Sequence, residues 1–130
     1  MQHGLNDVEL EGNLFICRPK GAFNMEGVTE YETKFAQMAA TLKGQTWGIM
    51  NVYDDYETGG PEVQKRIWAQ FNWSALNGCD FIGFVVHNPL HEFAARATTK
   101  DIPIKEMRTF KNEADAFTWI KQALIDANAN

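Results

Sequence analysis

Two hydrophobic periods alternate along the chain and predict its elements in order. "VEL" and "LFICR", separated by "EGN", predict an antiparallel hairpin whose second strand ends at Pro19 and Gly21. Asn24 is placed to cap a helix in which Val28, Tyr31, Phe35, Met38, Ala39 and Leu42 recur at helical spacing, with a stop at Gly44. "TWGIMNVY" is almost continuously apolar, the mark of a strand covered on both faces. Pro61 then opens a helix running to about Asn77, and "DFIGFVVHN" is a second covered strand. Pro89 opens a further helix with Leu90, Phe93, Ala94 and Ala97 as its inward stripe, before "IPIKEMRTF" returns as the last strand. Asn112 caps a closing helix with Phe117, Ile120, Leu124 and Ala127 inward. Strands alternating with crossover helices predict an α/β fold. The expected sheet is mostly parallel, of about five strands, with an N-terminal antiparallel hairpin and four helices, in a single domain over residues 1–130.

Composition narrows the function classes. At 130 residues, 45% hydrophobic and 22% charged, the chain is long enough to bury one sizeable core. A formal net charge of -5, with no Lys/Arg cluster, argues against nucleic acid as a partner. The absence of a long apolar run excludes a transmembrane segment, and "MQHGLNDVELEG" lacks the basic and apolar regions of a secretory signal, so a cytoplasmic location is expected. Cys17 and Cys79 lie far apart without metal-ligand spacing, which makes them small hydrophobes.

The stretches "IMNVYDDYE", "DFIGFVVHN" and above all "MRTFKNEADAFTWIKQAL" resemble the SpoIIAA-like proteins of the STAS superfamily, the domains of sulfate transporters and anti-sigma-factor antagonists. The resemblance runs roughly from Phe15 to Leu124. Its terminal signature consists of structural residues, Phe110, Ala114, Trp119 and Ile120, that would fix the last helix to the sheet, so it implies a STAS-like fold more than any activity. Antagonists of this family carry a phosphorylatable Ser or Thr in a D-S-x-G setting after the third strand. The corresponding candidate phosphosite is Thr58 before Gly59, in a loop where Asp54, Asp55 and Glu57 would repel added phosphate. A phosphorylation-regulated antagonist is therefore the second reading.

The acids themselves suggest a receiver-type cation site, but that chemistry needs a third acid on a later strand end. Those ends carry His87-Asn88 and Thr109-Phe110-Lys111, so a solvated acidic turn is expected and no metal or other cofactor is. His87 and His91 fall at the end of a strand and in the first turn of the next helix, where their side chains would share the crevice at the strand ends. Paired with Asp54 or Asp55, His87 supports a third reading, acid-base catalysis, although no nucleophile motif accompanies it and no catalytic residue is assigned.

The helix opened by Pro61 holds an aromatic anomaly. Val63, Ile67, Phe71 and Ala75 form its inward stripe with Trp68 on the edge, which leaves Trp73 and Leu76 projecting away. An outward indole is covered by a neighbour, a ligand, a lipid interface or a second subunit. The first reading is thus a non-enzymatic binding or interaction module acting through this helix. Its partner is a hydrophobic small molecule, a lipid surface or a protein, with homodimerisation and a peripheral membrane location among the expectations. Trp68, Phe71, Trp73, Leu76, His87 and His91 are the candidate binding residues, and Asp54, Asp55, Gly59 and Gly60 a candidate hinge.

Overall fold

Strands β1 (Leu5–Glu11) and β2 (Leu14–Lys20) pair antiparallel around Gly12, whose φ of 63° a residue with a side chain adopts only at a cost. The computed structural model of the chain describes residues 5–20, 25–54, 56–57 and 59–129, and only the backbone of residues 5–7 and 20. Strand β2 then pairs in parallel with β3 (Trp47–Val52), β3 with β4 (Cys79–Val85), and β4 with β5 (Glu106–Phe110), giving one sheet in the order β1-β2-β3-β4-β5. Helices α1 (Met25–Ala39), α2 (Pro61–Leu76) and α3 (Pro89–Thr99) make the crossovers, and α4 (Glu113–Ala127) follows β5. The strand and helix counts and the mixed pairing agree with the pattern.

Every residue of β3 is buried, in keeping with its almost continuous apolar run. Its side chains divide by period two between the faces. Trp47, Ile49 and Tyr53 join Phe15, Phe35 and Phe84 beneath the three crossover helices. Met50 and Val52 join Leu14, Ile16 and Val85 beneath Ile120 and Leu124 of α4. Gly48 sets how close α4 can come, because a Cβ there would lie 3.0 Å from the Phe81 carbonyl and 3.1 Å from Ile120 Cδ1.

Several boundaries differ from the pattern for identifiable reasons. Strand β2 runs through Pro19 to Lys20, because its pairing with β3 stops at Cys17 and the missing proline N–H interrupts no ladder on that side. Gly21 and Asn24 lie outside the described residues. Helix α1 gives way at Ala39 to a 3-10 turn that still buries Leu42. Strand β5 begins only at Glu106, since Pro103 sits in a tight turn closed by Ile104 N–H on the Ile102 carbonyl at 2.8 Å. In α4 the buried line is Ala116, Ile120 and Leu124, with Phe117 and Trp119 half-buried beside it. Ala114 is exposed because two residues turn a helix through about 200°. Ala127 is exposed as well, the last turn being tied down by Asn128, which exchanges hydrogen bonds with the Thr46 backbone at 3.0 and 3.1 Å.

Candidate functional site

The connection from β3 to α2 is the acidic loop, and it is pinned rather than free. Tyr56 is buried, and its carbonyl accepts a hydrogen bond from His91 Nε2 at 2.8 Å. His91 Nδ1 accepts the backbone N–H of His87 at 3.3 Å, so the imidazole is the neutral Nε2–H tautomer, with both nitrogens in use. Asn88 caps α3 by accepting the His91 N–H at 2.8 Å, as an Asn before Pro at a helix start should. Only 1% exposed, His91 is thus a structural post joining the α3 N-terminus to the loop. It does not share a crevice with His87, because its ring must turn inward to reach Tyr56. His87 instead faces outward and pairs with exposed Asp54, Nε2 to Oδ1 at 3.0 Å. Of the two acids that the sequence offers to His87, Asp54 is the one it meets among the described residues. Asp55 and Thr58 lie outside the described residues.

The largest departure from the pattern is in α3. Leu90, Phe93 and Ala97 do not face the core; only Ala94 of the expected stripe is buried, together with His91, Ala95, Thr98 and Thr99. The side chains of this face are mostly small, which lets α3 lie close to α2 and β5. The buried threonines are satisfied by bonding back to the Ala94 and Ala95 carbonyls at 2.7 and 2.8 Å. As a result Leu90 is 53% exposed and Phe93 71% exposed. They border a groove of about 500 Å³ between α2 and α3, whose opposite wall is Pro61, Gln64, Lys65 and Trp68. Trp68 is half-buried and fixed by its indole N–H on the Lys100 carbonyl at 2.8 Å. Gly59 closes the groove's end; a Cβ there would lie 2.5 Å from Val63 Cγ1, so glycine lets the loop meet the first turn of α2.

The remaining candidates scatter. Phe71 is core, edge-on to Phe84 with centroids 5.9 Å apart. Val63 is buried with it, while Ile67 and Ala75 are half-buried and Gln70 and Ser74 take the vacated inward positions. Trp73, 41% exposed, projects outward as its helical phase requires, over a shallow groove with Glu32, Ala36 and Ala69. Leu76 is 68% exposed at the end of α2. The six residues therefore do not form one site. Leu90 and Phe93 were missed because an apolar spacing says which residues share a face, not which way that face points. The signal that could have found them is the competing stripe of His91, Ala94, Ala95, Thr98 and Thr99.

Beneath α2 a cavity of about 30 Å³ is lined by Cys17, Tyr31, Asn51, Tyr53, Tyr56 and Phe71. That is room for about two waters. Asn51 Nδ2 is buried there without a hydrogen-bond partner among the described residues. Burial holds the Tyr31 and Tyr53 phenols well above their usual range and pushes Tyr56 up to about 12. A raised phenol favours the fold in its neutral form, so this stabilisation is complete below the unfolded value of about 10 and is lost as pH rises through the folded values. Alkaline titration followed by tyrosinate absorbance and circular dichroism should show a late, steep ionisation that coincides with loss of ellipticity. An early ionisation near pH 10 with the fold intact would contradict the buried cluster.

At the rim, Arg18 at the end of β2 makes a two-pronged ion pair with Glu113 at the start of α4. The guanidinium holds the Glu113 carboxyl below its ordinary range, mainly through that hydrogen bond. Cys17 and Cys79 are buried free thiols, and no group of three or more His, Cys, Asp or Glu side chains is arranged to hold a metal among the described residues. No helix among them is long and apolar enough to cross a membrane.

No family model matches the sequence, and none of the curated proteins compared with it does. Solved structures do match. A DUF3478-family protein of Shewanella loihica PV-4 with a SpoIIAA-like fold superposes with a TM-score of 0.71 at 12% identity, over 92% of this chain and 95% of that one. An anti-sigma factor antagonist of Mycobacterium paratuberculosis gives 0.64 at 15% identity over 92% and 95% of the two chains. The anti-sigma factor antagonist SpoIIAA in its unphosphorylated form gives 0.62 at 8% identity over 92% and 97%. Together with the strand order and pairing, these matches establish that the chain has a SpoIIAA-like fold.

Proposed function

We propose that the chain is a non-enzymatic, cytoplasmic binding module whose α2–α3 face docks a protein partner. The observation that carries this reading is the groove itself: Leu90 and Phe93 stand exposed opposite Trp68, on a helix whose inward face is already filled. Exposed aromatic and aliphatic anchors beside a groove between two helices suit an apolar side chain presented by a partner's helix. Two structural neighbours are named as antagonists of anti-sigma factors, and a protein partner of that regulatory kind is the natural occupant. A hydrophobic small molecule fits less well, because the space under α2 has room for about two waters.

The test is chemical cross-linking from the groove. A photo-reactive benzophenone side chain at position 93, in the native cells, should yield a discrete protein adduct that the same probe at exposed Ile125 does not. Binding of the identified partner to the purified chain should weaken by about 2 kcal/mol or more in Phe93→Ser, with thermal stability nearly unchanged because the ring is mostly in water. Adducts from both positions alike, or adducts with lipid alone, would refute a protein-docking groove; an adduct with a second copy would make the face a homodimer interface.

Regulation by phosphate is a second reading, favoured by the position of Gly59, next to Thr58, on the groove's end. In that case Thr58→Glu abolishes the adduct. On the acidic-loop reading Thr58→Ala leaves binding unchanged and no phosphate is found on Thr58 in protein from native cells.

A further inference from the structure

The opposite flank of α3 carries a different opening. Crossover helices after β2, β3 and β4 all lie on one face of the sheet, whereas the connection after β5 leads to α4 on the other. The carboxyl ends of β4 and β5 are therefore the one place where adjacent connections diverge, and such a switch point leaves a crevice where ligands of open α/β sheets bind. The crevice is present, about 580 Å³, with Val86 and Phe110 as its apolar floor and His87, Glu92, Thr109 and Lys111 around it. Its polar side chains are mostly engaged with one another. His87 is held by Asp54 at 3.0 Å, and Glu92 by Arg96 at 2.6 Å, with the Thr109 hydroxyl also on Glu92 at 3.5 Å. Lys111 has no ion pair among the described residues. An apolar floor with one uncompensated ammonium at its edge suits a small monocarboxylate, its body on Phe110 and its oxygens on Lys111.

We propose that this crevice is a binding site for a small, apolar-bodied carboxylate, separate from the α2–α3 groove and independent of the docking reading. Titration of the full chain with benzoate, followed by amide and side-chain nuclear magnetic resonance, should give saturable shifts at His87, Thr109 and Lys111. Benzamide, the neutral isostere, should bind at least tenfold more weakly. Lys111→Met should lose benzoate binding by tenfold or more, while Lys121→Met, on the far part of α4, should leave it unchanged. The Lys111 side chain is exposed, so the variant should fold as the parent does. Equal shifts with benzamide, equal affinity in Lys111→Met, saturation by inorganic phosphate but not benzoate, or no saturation in the millimolar range would each overturn the assignment. None of these outcomes bears on cross-linking from position 93, so the two proposals fail separately.

Discussion

Trp47→Ala should cost about 3–5 kcal/mol in urea unfolding, the range for deleting a buried aromatic, and compromise folding of so small a chain. Trp47 opens β3 and is buried against Phe15 and Phe35, with ring centroids 5.1 and 5.9 Å away. Its indole N–H donates to the Asn77 carbonyl at 2.9 Å, and its backbone N–H donates to the Gly78 carbonyl at 3.0 Å. One residue therefore joins the aromatic core to the C-cap of α2. Truncation leaves a cavity and an unpaired helix-end carbonyl together. Trp47→Phe separates the two terms: it keeps most of the ring contact and loses the hydrogen bond, so it should cost about 1–3 kcal/mol. Gly78 belongs to the same arrangement, because its φ is 111° and a Cβ there would lie 2.8 Å from Trp47 Nε1. A loss below about 1.5 kcal/mol for Trp47→Ala would mean that the site collapses onto the gap.

How much of this was legible in the sequence depends on what each residue's neighbours are. Strands β3 and β4 were readable because a strand buried on both sides is apolar at nearly every position, and "GIMNV", with Asn51 its single polar residue, and "FIGFV" leave little alternative. The cap at Asn112 was readable because capping is local: an Asn side chain reaches an N–H three residues on, as it does to Asp115, and Asn88 caps α3 by the same reach to His91. Trp73 was readable as outward because helical phase is local too. The orientation of α3 was not. Two stripes compete on that helix, and the choice between Leu90–Phe93 and Ala95–Thr98 depends on how closely a neighbouring helix can approach, a tertiary quantity. Likewise the acidic loop reads as solvated from its charges, and Asp54 does face water, but Tyr56 within it anchors into the core and meets a histidine 35 residues away.

That long-range contact supports the second large effect. His91→Phe should cost about 2–4 kcal/mol, whereas His87→Ala should change stability by less than about 1 kcal/mol. The two histidines are only four residues apart, yet they do different work. His87 and Asp54 are 44% and 59% exposed, and a polar contact so well hydrated contributes little to stability. His91 fills a buried position with Tyr53 5.6 Å from its ring, and each of its nitrogens satisfies a backbone group. Phenylalanine preserves the volume but loses the imidazole's hydrogen bonds to the Tyr56 carbonyl and from the His87 N–H, and losing the partner of a buried polar group costs about 1–3 kcal/mol. The damage should be local before it is global. Hydrogen exchange in His91→Phe should rise first in the loop from Asp54 to Gly60 and in the first turn of α3, because those are the segments the imidazole ties together. The same loop borders the α2–α3 groove through Gly59, so the variant should also weaken partner binding while Phe93 itself is untouched. If His91→Phe instead matches the parent in both melting temperature and exchange, the imidazole is not the post that holds the loop, and the burial of Tyr56 alone must do so.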